Sequence, residues 1–287
     1  MAIHNEAEID ARLRSVSSRQ NALVKDLRKA FTHSEPTAGG AIAIEGVRII
    51  EEAIRSGLKF QAVFFSEHGR PHASRLLPQI AGHVEALLLP DEVFSSAVDT
   101  ETPQGVAALV KMKQVRMEDV LEAPDADLLL VGLAGVQDPG NVGTIVRSAE
   151  AFSAQAVLLG EKTANCFNPK AVRASAGSVF RESVIVVGLQ KAVGLLKQKG
   201  VKIVASSSHR GRAQECDNVD LTGPIALLIG GEGAGLPAEI QAQADELVTI
   251  PHSTRVESLN AGIAASILLY EVARQRRNKQ RSISTSL

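Results

Sequence analysis

A glutamate inside a glycine-rich segment is the first residue whose setting suggests chemistry. The segment "ALLIGGEGAGLPAEI" (226–240) predicts a buried strand that ends in four glycines within six residues, after which Pro237 opens a helix. Such a loop exposes backbone N–H groups to a ligand, and Glu232 within it is expected to have a polar partner. The alternative is a tight turn before an ordinary capped helix.

An arginine and an asparagine follow another predicted strand end. In "VQDPGNVGTIVRSAEAF" (136–152), Asn141 occupies a position typical of a helix N-cap, and Arg147 lies further along the same helix. Arg147 can bind an anion through its guanidinium group. The alternative is a capped helix with an exposed pair between Arg147 and Glu150, three residues later.

The third segment, "IPHSTRVESLNAGIAASILLYE" (250–271), joins a polar loop to a helix of small residues. Pro251 ends a strand, and Ser258 or Asn260 is expected to cap the helix. Its small side chains favour close packing, and an apolar stripe is expected to pack at helical spacing. The small residues are Ala261, Gly262, Ala264 and Ala265, and the stripe is Leu259, Ile263, Ile267 and Tyr270.

The elements around these loops predict an α/β fold. Continuous apolar strands such as "LLLVGLAGV", "AQAVLLG", "VKIVASS" and "IALLIG" alternate with helices in the second half of the chain. This alternation is typical of a parallel sheet covered on both faces, and ligands bind such sheets beyond the carboxyl ends of the strands. The loops after residues 136, 229 and 250 are therefore expected to converge at one edge.

Composition excludes several classes of protein. The 287 residues carry a net charge of −1, with 45% hydrophobic and 3% aromatic residues, so neither a global basic field nor base-by-base stacking platforms are expected. Two distant cysteines predict no disulfide framework, and no signal peptide or apolar run long enough to span a bilayer is present. His68 and His72 are separated by glycine and proline, so no metal site is expected. These features predict a cytoplasmic protein without membrane or metal partners.

The three segments, in this order, resemble the three motifs of the SpoU/TrmH family, the 2′-O-ribose RNA methyltransferases of the SPOUT class. "NVGTIVRSAEAF" is similar to motif 1, "LLIGGEGAGLP" to motif 2 and "IPHSTRVESLNAGIAASILLYE" to motif 3, and "NPKAVRASAGSVF" matches the stretch after motif 1. Upstream, "SRQNALVKDLRKA", "AIEGVRIIEEAIRSG" and "TPQGVAALVKM" resemble the ribosomal-protein-like substrate-binding domain of many members.

The resemblance implies a fold, a cofactor and partners. It implies a small αβ sandwich that binds RNA over residues 1–112, a linker at 113–126, and a methyltransferase domain at 127–287. The second domain would be a parallel sheet closed by a deep trefoil knot that grips S-adenosylmethionine in a bent shape. The protein would act as a homodimer on RNA, with ribosomal RNA as the expected substrate and each active site near the interface.

The resemblance also assigns site residues. Arg147 would take part in catalysis by binding an RNA phosphate and stabilising charge on the 2′-oxygen. Glu232 would position Arg147 or accept the proton, and Ser258 would lie at the same site. Asn141 and Asn260 would orient groups by hydrogen bonds. Cofactor contacts would come largely from the backbone of Leu228, Ile229, Gly230, Gly231, Gly235, Leu236, Ile250, Pro251 and Leu259.

The chain departs from the family pattern at several positions. His252 stands where the family has Met, while Thr254 and Ser153 stand where it has Gly. The first domain lacks a basic run before the "IEG" strand. Basic residues nearer the N-terminus are candidate substitutes for RNA contact, with an ordinary solvated helix face as the alternative: Arg12, Arg14, Arg19, Lys25, Arg28 and Lys29.

Other functions stay open at this point. A catalytically inactive RNA-binding module is opposed by the presence of all five polar motif residues, and a transfer-RNA methyltransferase remains an alternative substrate assignment. A nucleotide-dependent enzyme that uses "GGEGAG" for phosphates is opposed by the missing P-loop lysine and the missing third glycine of a dinucleotide fingerprint.

Overall fold

The apolar strands of the chain form two separate sheets, one in each of two units. The structure, a computed structural model, describes residues 6–122, 127–207 and 213–285. The first unit contains the residues up to Gln114 together with Phe167–Phe180, and the second contains Val115–Cys166 together with the residues from Arg181 onward. The domain limits 1–112, 113–126 and 127–287 stay a prediction, because residues 123–126 lie outside the described part of the chain.

The first unit alternates helices and strands along the chain. Its elements are α1 (Glu6–Arg12), β1 (Leu13–Ser15), α2 (Ala22–His33), β2 (Ala41–Glu45), α3 (Val47–Arg55), β3 (Lys59–Ser66), α4 (Ala73–Leu76), β4 (Glu85–Leu89), α5 (Asp91–Ser95) and β5 (Val106–Lys111).

The sheet of the first unit is mixed, with five strands in the order β1-β4-β3-β5-β2. Strands β1, β4 and β3 run parallel, and β5 pairs antiparallel with both β3 and β2. Helix α2 buries Val24, Leu27 and Phe31 in the core of this unit. Asn21 caps the helix, since its side-chain oxygen accepts a hydrogen bond from the backbone N–H of Leu23 at 3.0 Å.

The chain continues through the second unit, interrupted by one helix that groups with the first. The elements are α6 (Met117–Leu121), β6 (Leu129–Ala134), α7 (Pro139–Ala151), β7 (Ala156–Leu159), α8 (Pro169–Ala174, in the first unit), β8 (Val184–Val186), α9 (Leu189–Gln198), β9 (Lys202–Ser206), β10 (Gln214–Glu215), β11 (Ile225–Gly230), α10 (Ala238–Gln241), β12 (Glu246–Thr249) and α11 (Ala261–Thr285).

The second sheet has seven strands in the order β10-β12-β9-β11-β6-β7-β8, and all its pairings are parallel. The predicted α/β fold with a parallel sheet is therefore confirmed. Strands β6 and β11 are buried along almost their whole length because helices cover both faces. The parallel arrangement brings the carboxyl ends of β6, β9, β11 and β12 to one edge of the sheet.

Two charged segments contain helical structure. The predicted linker at 113–126 contains α6, whose Met117 and Leu121 are buried in the core of the second unit. The basic C-terminal stretch continues α11 as far as Thr285. Arg276 anchors this helix, because its guanidinium donates to the backbone oxygens of Leu128 and Gly223 at 3.1 and 2.9 Å.

Helix α11 presents an apolar stripe to solvent. Ile263, Ile267 and Tyr270, named here the outer stripe, are 53%, 37% and 49% exposed. The predicted packing of these three residues at helical spacing therefore does not occur within the chain itself. The core-facing side of the helix is formed instead by Leu268, Leu269 and Val272, which are buried. Helical spacing identified an apolar face correctly but could not say which of two apolar faces lies inside.

Candidate functional site

Three segments that are remote in sequence meet at the carboxyl edge of the second sheet. Glu232, in the loop after β11, accepts two hydrogen bonds on the same oxygen, Oε1. One comes from Nδ2 of Asn141 at 2.6 Å and the other from Nδ2 of Asn260 at 2.9 Å. The expected convergence of the three loops is therefore present. The polar partners expected for Glu232 are the side-chain amides of Asn141 and Asn260.

Asn260 has two functions at the start of α11. Its side-chain oxygen accepts from the backbone N–H groups of Gly262 and Ile263, at 3.0 and 3.2 Å, and so caps the helix. Its side-chain nitrogen holds Glu232. One side chain thus fixes the helix end and the glycine-rich loop relative to each other.

Asn141 lies in the first turn of α7 rather than at its cap. The N-cap is Asp138, whose carboxylate accepts from the backbone N–H of Gly140 at 3.2 Å, and Pro139 takes the first helical position. The prediction of an Asn141 cap is wrong because aspartate before proline supplies the cap one turn earlier. The Asn141 side chain, 7% exposed, is thereby left to bind Glu232.

Small residues hold α7 and α11 together next to this cluster. A Cβ atom on Gly262 would lie 3.2 Å from the methyl group of Thr144 and 3.3 Å from Oδ1 of Asn141. Further along, the hydroxyls of Ser148 and Ser266 share a hydrogen bond of 2.7 Å. The close approach expected from the small side chains is present, and it gives both asparagines a rigid support.

The loops enclose a cavity of about 160 Å³ in the second unit. Of the residues assigned to cofactor binding, Leu228 is buried in β11 away from the cavity wall, and Pro251 is exposed and does not line it. The predicted catalytic residues Glu232 and Ser258 also line the cavity. The other seven residues assigned to cofactor binding all line it: Ile229, Gly230, Gly231, Gly235, Leu236, Ile250 and Leu259.

The glycine-rich loop forms this wall with its main chain. The backbone N–H of Gly231 donates to the carbonyl of Ala134 at 2.9 Å, and that of Gly235 donates to the carbonyl of Gly231 at 3.0 Å. A Cβ on Gly231 would lie 1.9 Å from the carbonyl oxygen of Gly135, and one on Gly230 would lie 2.2 Å from the carbonyl carbon of Gly235. Glycine is therefore required at both positions, because backbone atoms already occupy the space of a side chain.

Several polar residues of the cavity were not identified from the sequence. Ser206 ends β9 and Ser207 follows it, Thr249 ends β12, and Gln241 ends α10. The position of Ser206 and Thr249 at carboxyl strand ends was the signal available, because the parallel sheet places those ends at the ligand-binding edge. His252 also lines the cavity, with its Nδ1 atom 2.6 Å from the carbonyl oxygen of Ile250.

Arg147 lies outside this hydrogen-bonded cluster. Its side chain is exposed and makes no hydrogen bond or ion pair within residues 6–122, 127–207 and 213–285. The expected partner Glu232 binds the two asparagines instead, and Glu150 pairs with Arg181, whose Nη2 atom lies 3.0 Å from Oε2. The alternative of an Arg147–Glu150 surface pair is therefore not observed, and the guanidinium keeps all its donors for an external anion.

The departures from the family pattern have different structural consequences. Ser153, two residues beyond the end of α7, has a φ of 60°, in the left-handed region that favours glycine, which explains why glycine is usual there. Thr254 is not among the described residues with positive φ, so its replacement of glycine requires no strained backbone.

No cluster of three or more His, Cys, Asp or Glu side chains that suits a metal ion occurs in the part of the chain that the structure describes. In the same ranges, no helix combines the length and apolar character needed to cross a bilayer. Cys166 and Cys216 are both buried free thiols.

Comparisons with known proteins agree with this geometry. Residues 128–270 match the SpoU rRNA Methylase family, and residues 21–108 match the MRM3-like substrate binding domain. Over 260 residues, the chain is 32% identical to the 23S rRNA (guanosine(2553)-2′-O)-methyltransferase RlmP of Bacillus subtilis, which covers 91% of this chain and 99% of that relative.

Two solved structures are similar along nearly the whole chain. The AdoMet-bound rRNA methyltransferase from Sinorhizobium meliloti superposes with a TM-score of 0.78 at 28% identity, covering 92% of this chain and 98% of that one. The SpoU methyltransferase AviRb from Streptomyces viridochromogenes, in complex with the cofactor AdoMet, has a TM-score of 0.75 at 27% identity, with coverages of 90% and 100%.

Proposed function

Because the chain belongs to the SpoU rRNA methylase family, we propose that it transfers the methyl group of S-adenosylmethionine to a ribose 2′-hydroxyl of ribosomal RNA. It is an RNA methyltransferase, and S-adenosylmethionine is its methyl donor. One observation carries the proposal: Asn141 and Asn260, from two of the motif segments, both donate to one oxygen of Glu232 in the third, and Glu232 lines the cavity. Ribosomal RNA is favoured over transfer RNA because the Bacillus relative acts on 23S rRNA.

The chemistry of the cavity walls suits the donor. Gly230 and Gly231 let the main chain of this loop pack directly against Gly235 and Gly135, so backbone atoms form this part of the cavity wall. The side chains of Leu236, Ile250 and Leu259 supply apolar surface suited to the faces of an adenine ring. The hydroxyl of Ser206 adds hydrogen-bonding capacity at the same wall.

We expect Gly231→Ala to lower the affinity for S-adenosylmethionine at least tenfold. The added methyl group would overlap the carbonyl oxygen of Gly135, so the loop between β11 and α10 has to move. Titration calorimetry with the cofactor measures the effect. Gly194→Ala is the matched control, because a Cβ there meets nothing within 4 Å and should leave affinity unchanged. Equal affinities in both variants would contradict the role assigned to this loop.

The chain's own residues must align the reactants and stabilise charge. When bound, S-adenosylmethionine supplies an electrophilic methyl group, so the remaining difficulty is the weakly nucleophilic ribose hydroxyl. We propose that Arg147 binds an RNA phosphate and stabilises negative charge developing on the 2′-oxygen. Glu232, Asn141 and Asn260 hold the loops that orient the two reactants. Ser258 is available on the cavity wall to hydrogen-bond either of them.

The test is transfer of labelled methyl groups to separated ribosomal and transfer RNA, followed by mapping of alkali-resistant linkages. Label in an alkali-resistant dinucleotide of ribosomal RNA supports the proposal, because a 2′-O-methyl group blocks alkaline cleavage of the adjacent phosphodiester. Label only in transfer RNA would replace the substrate assignment. Binding of RNA without binding of S-adenosylmethionine would identify an inactive RNA-binding module.

We also propose that the protein is a homodimer in which the outer stripe is buried. Ile263, Ile267 and Tyr270 form a continuous apolar face, and exposed apolar faces of this kind mark association surfaces. Tyr270 is already held in position, since its ring lies edge-on to Phe152 with centroids 6.1 Å apart and the Arg277 guanidinium lies 6.0 Å from its centroid. A second copy of the chain, presenting the same stripe, is the occupant proposed.

We expect Ile267→Asp to convert the dimer to a monomer, because an unpaired carboxylate would be buried at the centre of the stripe. Light scattering coupled to size-exclusion chromatography measures the mass. Val186→Asp is the control, since Val186 is 82% exposed on the edge strand β8 and outside the stripe. A wild-type monomer, or an unchanged dimer of Ile267→Asp, would contradict the proposal.

Three further features remain proposals. The trefoil knot is supported by the position of β11 between β6 and β9, and by the similarity to SpoU structures. Function in ribosomal RNA processing in the cytoplasm follows from the proposed substrate. RNA binding by the first unit is supported by its match to a substrate-binding domain. Of its six candidate basic residues, Arg12, Arg14 and Arg28 form internal hydrogen bonds, whereas Arg19, Lys25 and Lys29 are exposed.

A further inference from the structure

The first unit contains a second hollow that the methyl-transfer site does not use. It is an open groove of about 720 Å³, at the sheet edge where β3 begins and β5 ends. This volume lies within the range of small-molecule binding sites. It is named here the basic groove, and its lining is Ile54, Gly57, Leu58, Lys59, Phe60, Gln61, Gln79, Ile80, Ala81, His83, Val84 and Lys111.

The charge of the basic groove is of one sign. Lys59, His83 and Lys111 line it, and no aspartate or glutamate does. Lys59 and Lys111 are direct partners in the antiparallel pairing of β3 with β5. Like charges in directly opposed positions repel, and neither ammonium group has an ion pair or hydrogen bond among the residues that the structure describes. An anion bound between the two lysines would remove that repulsion.

The strand is irregular at the point where it borders the groove. Lys59, Phe60 and Gln61 all line the groove, although successive residues of a regular strand point to opposite faces. The pairing of β3 with β5 shifts register between Phe60 and Ala62, which is a β-bulge. Bulges re-aim side chains and occur often beside functional sites. Here the bulge allows an aromatic ring and a lysine that are adjacent in sequence to face the same hollow.

Phe60 supplies an aromatic side chain to the groove. Five of the eight phenylalanines are buried, and Phe60 is one of the three that are half-buried. Beside it, Ile54, Leu58 and Val84 contribute apolar surface. The groove therefore combines a flat apolar surface with two unneutralised ammonium groups, which suits a ligand that has both a flat ring and a negative charge.

We propose that the basic groove binds one nucleotide of the RNA substrate, outside the nucleotide that is methylated. Phe60 stacks on its base, and Lys59 and Lys111 bind the adjoining phosphate. This inference rests on the proposed function, because it assigns part of RNA recognition to a defined surface of the first unit. An acidic peptide would satisfy the lysines but not the aromatic surface, so RNA is the ligand that both features favour.

The test measures binding of the full-length protein to ribosomal RNA and to a fluorescent single-stranded RNA over a range of salt concentrations. We expect Lys59→Ala with Lys111→Ala to weaken binding about tenfold. The slope of log affinity against log salt should become less steep by about 0.7, since the two lysines bind one phosphate and each phosphate contact on a single strand contributes about 0.7. Phe60→Leu should weaken binding by about 5- to 150-fold, the range of base–aromatic stacking, and leave the salt slope unchanged.

Matched controls separate a local effect from general loss of charge or of folding. Lys191→Ala with Lys199→Ala removes two exposed lysines from the second unit and should change neither affinity nor slope. Calorimetry with S-adenosylmethionine should match the wild type in all variants, because the groove lies in the other unit. A cooperative thermal melt shows that each variant is folded.

Two outcomes would overturn the proposal that the basic groove binds RNA. One is wild-type affinity and salt slope in the groove variants, and the other is an equal loss in the Lys191/Lys199 control. Failure of the proposed function gives a different result: the wild type would transfer no methyl group to ribosomal RNA, while the groove variants would still lose RNA affinity. If the wild type methylates ribosomal RNA and the groove variants keep the wild-type KM for RNA, the groove proposal is contradicted and the proposed methyltransferase function is supported.

Discussion

Arg147→Ala is expected to lower kcat for methyl transfer about 100- to 1,000-fold, the range typical of losing one hydrogen-bond donor to a developing oxyanion. The affinity for S-adenosylmethionine should stay within about twofold of the wild type. The guanidinium is exposed and has no partner among the described residues, so its removal should disturb no internal contact. It also does not line the cavity, which is why cofactor binding should survive. Single-turnover transfer to ribosomal RNA and calorimetry measure the two quantities.

The controls for Arg147 separate charge from geometry. Lys191→Ala removes one exposed positive charge elsewhere in the second unit and should keep full activity. Arg147→Lys keeps the charge but loses the planar fork that binds a phosphate through two hydrogen bonds, so it should fall between the alanine variant and the wild type. Full activity of Arg147→Ala would remove the catalytic assignment, and loss of cofactor binding would show that Arg147 supports the cavity instead.

Glu232→Ala is expected to lower kcat/KM at least 100-fold and to weaken S-adenosylmethionine binding. The substitution removes the acceptor of two amide groups, one of them on the buried Asn141. A hydrogen bond to a charged group contributes about 1.5–3 kcal/mol, and a buried donor left without an acceptor adds a desolvation cost. The loops that carry Asn141 and Asn260 would then lose their common anchor.

Glu232→Gln distinguishes an anchor from a proton acceptor. The glutamine side-chain oxygen can still accept from both asparagines, so cofactor affinity should stay within about threefold and kcat within about tenfold of the wild type. A general base typically contributes a factor of about 10²–10⁴. If the glutamine variant binds the cofactor normally but is as slow as the alanine variant, the carboxylate removes the proton and the anchoring role is secondary.

The strands and the meeting of the three loops could be predicted from the sequence because both follow from general rules. Continuous apolar runs between helices indicated the parallel sheet, and parallel strands end at one edge. The partner of Glu232 could not be predicted in the same way. Two amides 91 and 28 residues away fill its hydrogen-bonding capacity, and the resemblance had suggested Arg147 as the partner instead.

Local patterns failed where a distant residue competed with a near one. Glu150 lies three residues from Arg147 on one helix, yet it pairs with Arg181, 31 residues further along the chain. Asn141 has the residue type of a helix cap, but Asp138 before Pro139 occupies that position. The outer stripe has helical spacing, but spacing alone does not say whether the side chains face the core of their own chain or another surface.

The position of Asn260 has a consequence for biosynthesis. Asn260 immediately precedes α11, the last helix of the described chain. Before this segment is made, Glu232 has only one of its two amide partners, and the cavity wall formed by the start of α11 is missing. Contacts between residues far apart in sequence form late, because a long stretch of chain must first be synthesised and closed into a loop. A ribosome-bound nascent chain that has emerged only as far as α10 would have most of its parallel strands but no competent methyl-donor pocket. The enzyme would therefore acquire cofactor affinity only after Asn260 and α11 have emerged from the ribosome.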